Sequence, residues 1–119
     1  MASTRVLLTG STSGKPIKVT GTATGSSVTI HTAVAGAELI DTMYLWVSNT
    51  SASAATLTIE WGGTTDPDHL LCKGYPISAN SGLVLLTSGV PLNGGLAIKA
   101  FAGTASVLNI HGYCIRVTR

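Results

Sequence analysis

The chain has 119 residues, of which 45% are hydrophobic and only 10% charged, with a formal net charge of +2. This length predicts one domain with one core, and the charged fraction is far below the roughly 25% of an average globular protein. The seven basic residues are scattered and aromatics make up 5%, which argues against nucleic-acid binding, since that needs clustered basic residues and stacking rings. So little charge favours an oligomer or a subunit of a larger assembly, the alternative being a small, smooth β domain.

The cysteine count and the apolar runs indicate the cellular compartment in which the protein is made and folds. Cys72 and Cys114 are too few for a disulfide framework, although one bond between them is geometrically possible. The apolar stretch at residues 6–8 is too short for a signal peptide, and no run approaches the about 20 apolar residues of a membrane-spanning helix. We therefore expect synthesis in a reducing cytoplasm, free thiols and no membrane partner.

The N-terminal part of the chain is rich in Gly, Ser and Thr. We predict a mobile arm at residues 1–5 and a short strand at 5–9, followed by a flexible loop. The expected division is residues 1–13, a flexible N-terminal arm with the first short strand, and residues 14–119, the β-sandwich domain.

The next clear strand has period-two alternation. Val28, Ile30 and Thr32 are predicted to point inward, and Thr29 and His31 to point outward. This pattern is typical of a strand with one buried face.

Residues 41–63 contain two alternating apolar runs, and we expect the other segments to be organised around them. The predicted inward side chains are Met43, Leu45 and Val47, then Leu57, Ile59 and Trp61. The small polar segment 49–54 between them suits a turn, so the sequence predicts a long antiparallel hairpin. Such a ribbon is marginal alone and needs a second layer.

The last third of the chain continues the strand pattern. Asn93-Gly94 is a strong hairpin signal between two runs. A bulge at Gly112 is predicted, because it would place two apolar sets of opposite parity inside: Leu108 and Ile110, then Tyr113, Ile115 and Val117. With no helical periodicity, the sequence predicts an all-β fold: a single antiparallel β-sandwich, jelly-roll-like, with about eight short strands.

The residues that could support catalysis or metal binding form no convincing constellation. Glu60 is predicted to lie on the outward face of its strand, where a structural role is favoured. A zinc site would need turns that gather four ligands from two His-x-x-Cys spacings: His69, Cys72, His111 and Cys114. We expect no cofactor, no metal and no enzymatic activity.

Several strand and turn segments resemble a group of small virion proteins of tailed bacteriophages. The resemblance covers roughly residues 14–118 and lies in these segments: Gly14–Val19, Val28–Ala33, Asp41 with Tyr44–Asn49, Leu57–Gly63, Ser81–Leu85, Gly89–Leu92, Ile110–Tyr113 and Ile115–Arg116. It implies a capsid decoration, or cement, protein: a β-sandwich subunit, often trimeric, on the outer shell of the head. The resemblance implies no catalytic residues.

We therefore expect a structural virion protein made in the host cytoplasm and located on the head surface. Its expected partners are the major capsid protein and copies of itself in a homotrimer. The predicted partner interface contains Arg5, Tyr44, Trp46 and Tyr75, because outward aromatics often pack under a partner subunit. Alternatives are another virion part (head fibre, tail or baseplate), a carbohydrate-binding module that stacks sugars on Trp46 and Tyr44, or, least favoured, a small hydrolase.

Overall fold

A computed structural model describes residues 3–118 of the chain. Two antiparallel sheets pack face to face, which confirms the predicted all-β sandwich. The strands are β1 (Ser3–Leu7), β2 (Ile17–Lys18), β3 (Val28–Thr32), β4 (Leu39–Asn49), β5 (Ala55–Trp61), β6 (Leu70–Ile77), β7 (Ser81–Leu92), β8 (Ala97–Ala102) and β9 (Leu108–Thr118), with a 3₁₀ turn at Thr24–Ser26. Three strands, β4, β7 and β9, have 11 or 12 residues and are longer than predicted.

The strand order resembles that of a jelly roll. The first sheet runs β1-β9-β4-β7 with β2 also pairing to β9, and the second runs β3-β8-β5-β6. From β3 onward, every strand except β6 lies in the opposite sheet from the strand before it. Five strands in one antiparallel sheet and four in the other, entered alternately in this way, resemble the jelly-roll arrangement.

The predicted hairpin over residues 41–63 is wrong, because its two strands lie in different sheets. β4 pairs with β7 and β9, whereas β5 pairs with β6 and β8. Asn49 is buried where the chain crosses between sheets; its amide donates to the carbonyls of Ser53 at 2.9 Å and Ile77 at 3.2 Å. A period-two pattern with a polar loop suits such an arch as well as a hairpin.

The Asn93-Gly94 hairpin prediction fails for the same reason. This turn joins β7 of the first sheet to β8 of the second. The backbone N–H groups of Gly94 and Gly95 donate to the carbonyls of Gly36 and Val34, each at 3.0 Å. The turn therefore closes one end of the sandwich against the loop before β4.

The core lies between the sheets and is almost entirely aliphatic. The predicted inward sets of β4 and β5 are confirmed, with Trp61 packed at the border of the core. The largest fully buried apolar side chains are Val19, Ile30, Met43, Leu45, Leu57, Ile59, Ile77, Ile98, Leu108 and Ile110. Burial of this apolar surface is the main term that stabilises the fold.

β9 contains no bulge against its neighbour β4, which corrects the prediction at Gly112. The two strands pair over eleven consecutive positions without a register shift. Tyr113, Ile115 and Val117 consequently point outward, opposite in direction to Leu108 and Ile110. Gly112 is needed for close approach instead, since a Cβ there would lie 2.2 Å from the Tyr44 carbonyl oxygen.

β1 is part of the first sheet along its whole length. Ser3–Leu7 pairs with β9 at all five positions, so the first strand begins two residues earlier than predicted. Residues 1 and 2 of the predicted arm lie outside the described residues, and the boundary between residues 13 and 14 stays a prediction. Within residues 3–118, none of the structure is a helix with the length and hydropathy needed to cross a membrane.

Candidate partner surface and buried polar network

The outer face of the first sheet carries a cluster of rings, which we call the aromatic face: Arg5, Tyr44, Trp46 and Tyr113. Tyr44 and Tyr113 are direct cross-strand partners on β4 and β9, and their rings stack with centroids 5.2 Å apart. The Trp46 ring lies 6.1 Å from that of Tyr113. The Arg5 guanidinium carbon lies 5.0 Å from the centre of the Tyr113 ring, within the range of a cation–π contact.

The aromatic face continues onto both neighbouring strands as exposed apolar surface. Leu7 on β1 lies opposite Tyr113 and is 53% exposed, and Leu85 on β7 lies opposite Trp46 and is 54% exposed. Strand register places Arg5 and Lys18 on this side of the first sheet, whereas no carboxylate of β1, β2, β4, β7 or β9 points there. The surface is therefore apolar with a positive rim.

Tyr75 lies apart from the aromatic face. It sits on β6, the edge strand of the second sheet, and is 44% exposed. With Leu71 and Leu85 it lines a cleft of about 220 Å³, which we call the edge cleft. Because Leu85 also lies opposite Trp46, one exposed leucine connects the edge cleft to the aromatic face.

Three of the four predicted interface residues are thus brought together, and the fourth lies around one edge. The sequence reasoning missed Tyr113, the ring at the centre of the cluster. Extending β9 without the bulge predicts that the Tyr113 side chain points outward, since Tyr113 then alternates with buried Cys114. The assignment of these residues to a partner interface stays a prediction.

A buried polar network, which we call the Asp41 network, lies at one end of the core. Arg116 donates from Nε to Asp41 Oδ1 at 2.6 Å and from a terminal nitrogen to Oδ2 at 2.9 Å. Oδ2 also accepts from the Val34 backbone N–H at 3.0 Å and lies 2.8 Å from His31 Nε2. His31 Nδ1 accepts from the Thr9 backbone N–H at 3.1 Å, so the ring proton lies on Nε2 and is donated to Asp41.

The hydrogen bonds to Asp41 decide its protonation. Burial on its own would raise the pKa of this carboxyl, but the bonds from Arg116, His31 and Val34, together with the Arg116 charge, lower the pKa to about 2. The same carboxylate raises the pKa of the Arg116 guanidinium. The network is therefore an ionised, fully hydrogen-bonded cross-brace between β3 of the second sheet and β4 and β9 of the first.

His31 belongs to this network because β3 is irregular. The register of β3 against β8 shifts between Thr29 and His31, and both Ile30 and His31 are fully buried. The prediction that His31 points outward is wrong, since the extra residue of a bulge turns it inward.

Cys114 completes a Cys, His and Asp group without the geometry of a catalytic triad. Its Sγ lies 3.8 Å from His31 Nε2, the same nitrogen that contacts Asp41, whereas a triad uses the two ring nitrogens separately. Burial, with the nearby Asp41 charge, raises the pKa of the Cys114 thiol to about 11. The thiol is therefore protonated at neutral pH and enclosed, which suits packing rather than nucleophilic attack.

The same three side chains are the one group of metal-ligand type that residues 3–118 bring together. A metal there would have to displace both the bidentate Arg116 and the shared His31 proton from Asp41. The zinc set considered from the sequence is not gathered, because Cys114 points into the core whereas His111 points outward beside Trp46. Cys72 and Cys114 are both free.

Comparisons with known proteins do not assign this chain to a family. A scan against protein-family models and searches of curated proteins and of solved structures found no significant match. Function is therefore inferred from the surface and the interior of this chain.

Proposed function

We propose that this protein is a non-enzymatic capsid decoration protein, located on the outer surface of a tailed-phage head, which it stabilises. The observation that supports the proposal most directly is the aromatic face, with Leu7 and Leu85 extending it across four strands. Clustered aromatic and aliphatic side chains with an Arg are what the centre of a protein interface uses. The jelly roll is an architecture that viral capsid domains share with lectins, so the fold is compatible with this role by analogy alone.

The proposed partners are the major capsid protein and two further copies of this chain. In this proposal the aromatic face binds the shell, and the edge cleft with Tyr75 contributes to the contact between copies. A protein that binds the mature shell and not its precursor stabilises the mature form by mass action. Such a subunit is made in the host cytoplasm and becomes part of the virion there.

The test uses shells that lack the protein. We expect the purified chain to co-sediment with them and to raise their melting temperature. Trp46→Ala is expected to weaken shell binding by roughly 30-fold or more, the effect of losing about 2 kcal/mol at an interface hot spot. Thr29→Ala is the matched control, since Thr29 is exposed on the outer face of the opposite sheet, and should bind like the native chain.

Two results would count against the proposal. If the native chain neither sediments with shells nor stabilises them, the cement role is wrong. If Trp46→Ala and Thr29→Ala bind equally well, the aromatic face is not the shell-binding surface. Light scattering on the free protein tests the trimer separately, and electron microscopy of labelled particles would reveal a head-fibre, tail or baseplate position instead.

The second candidate function is carbohydrate binding, which the same rings favour. Tyr44, Trp46 and Tyr113 form a cluster of rings against which a sugar ring could pack. A glycan array separates the two functions: a saturable signal that Trp46→Ala abolishes would support the carbohydrate-binding module, and decoration alone predicts no signal.

A further inference from the structure

The outer face of the second sheet contains a cleft of about 430 Å³, which we call the Glu60 cleft. It lies over β5 and β8 and is partly covered by the segments 22–24 and 64–74. Its lining includes threonine hydroxyls, two carboxylates, a lysine and two large apolar side chains: Thr22, Thr24, Thr58, Glu60, Asp66, Lys73, Leu70 and Phe101. The volume far exceeds the ~30 Å³ share of a single water molecule, so a body of several carbon atoms fits.

Glu60 is the unusual group in this cleft. The side chain points outward from β5, as the sequence predicts, yet the residue is only 1% exposed because the covering segments enclose it. Oε2 accepts a hydrogen bond from the Thr24 hydroxyl. Oε1 is buried and has no hydrogen-bond partner.

A buried carboxylate oxygen without a donor is destabilising, and native proteins rarely leave one unpaired. The nearby cations do not supply the donor. Lys73 is paired with Asp66 at 2.6 Å on the exposed rim, and Lys99, the cross-strand neighbour of Glu60, makes no hydrogen bond to Oε1. Within residues 3–118, the cleft therefore presents a buried acceptor that no group of the chain satisfies in this structure.

We propose that the Glu60 cleft binds a small primary amine with a short aliphatic body. The ammonium group would donate to Oε1 and offset the charge of Glu60. The methylene groups would lie against Leu70 and the Phe101 ring, which line the same cleft. Thr58 Oγ1, which also lines the cleft, accepts from the Gly74 backbone N–H at 3.0 Å and makes no hydrogen bond to Oε1.

The test is a titration of the full chain with n-pentylammonium chloride, followed by calorimetry and by amide shifts in ¹H–¹⁵N NMR spectra. 1-Pentanol at the same ionic strength is the matched neutral probe. The expected result is saturable binding of the amine, with shifts centred on Thr24, Thr58, Glu60 and Phe101, and binding of the alcohol at least tenfold weaker.

Glu60→Gln keeps the shape of the side chain and removes its charge. It should weaken amine binding at least tenfold, while its NMR spectrum keeps the signal dispersion of a folded chain. If that variant does not fold, Phe101→Leu is the second test variant. It keeps Glu60 and should weaken amine binding several-fold. No saturable amine binding by the native chain, equal binding of amine and alcohol, or amine affinity unchanged in Glu60→Gln and Phe101→Leu would each overturn the proposal. Shell binding through the opposite sheet is unaffected by any of these outcomes.

Discussion

The paired strands β4 and β9 have different chemistry on their two faces. Toward the core they place the Asp41 network, with Cys114 and Arg116 beside the aliphatic interior. Away from the core the same two strands place Tyr44, Trp46 and Tyr113. Alternation by one residue therefore separates a group that holds the two sheets together from a group that is open to a partner.

The inner face of these strands should control stability, and the outer face should control binding. Every hydrogen-bonding atom of the Asp41 carboxylate is occupied inside the molecule, and the carboxylate is fully buried. The rings of the aromatic face are only half-buried, so part of their surface still contacts water in the isolated chain. We expect inward substitutions to lower the free energy of unfolding and outward ones to leave it nearly unchanged.

The largest expected effect is that of Asp41→Ala. It leaves the buried His31 Nε2–H and the partly exposed Arg116 guanidinium without their acceptor. Breaking such a pair from one side costs about 3 kcal/mol, the low end of the range for a buried ion pair. Urea unfolding followed by circular dichroism at one protein concentration measures the change. Glu38→Ala is the control, since Glu38 is exposed just before β4; equal stability of the two variants would show that the network does not hold the sheets together.

A second prediction concerns the free energy of unfolding at acid pH. The folded-state pKa of Asp41 lies below its ordinary value of 3.8, at about 2, so its contribution to stability is complete above about pH 5 and is lost as the pH falls through 2. A depression of this size corresponds to roughly 2 kcal/mol of unfolding free energy. Urea unfolding at pH 5, 4, 3 and 2 measures the loss.

The acid prediction needs a control because the other carboxylates also titrate in this range. Asp41→Asn cannot ionise and should show a correspondingly flatter loss of stability between pH 4 and pH 2. If the native chain and Asp41→Asn lose stability in parallel, the depressed pKa of Asp41 makes no contribution to folding.

Period-two alternation carries information about polar as well as apolar positions in this structure. It identified the buried sets of β4 and β5, and it also marked two polar members of the Asp41 network. Asp41 has the parity of Met43. Once β9 runs without the predicted bulge at Gly112, Arg116 has the parity of Cys114 and Ile110, so both lie on inward positions. An inward Asp and an inward Arg on different strands were the available signal of an internal ion pair.

Other features could not be obtained from the sequence pattern. His31 turns inward through a bulge that depends on the register of β3 against β8. The arches at Asn49 and Asn93 have the same local signal as hairpins, because small polar residues close both kinds of turn. The outward direction of Glu60 was predicted, but its enclosure depends on two segments distant in sequence.

The smallest expected effect is that of Arg5→Ala on the outer face. The guanidinium contacts the Tyr113 ring at 5.0 Å from an exposed position, and such a contact contributes about 0.5–1 kcal/mol. Urea unfolding should show a loss within that range, and the Tyr113 ring resonances should shift in NMR spectra. Lys18→Ala, which removes an exposed cation from the same side of the sheet, should leave these resonances in place. A loss of stability as large as that of Asp41→Ala would mean that the outer face also holds the sandwich together, and the division of roles between the two faces of β4 and β9 would be wrong.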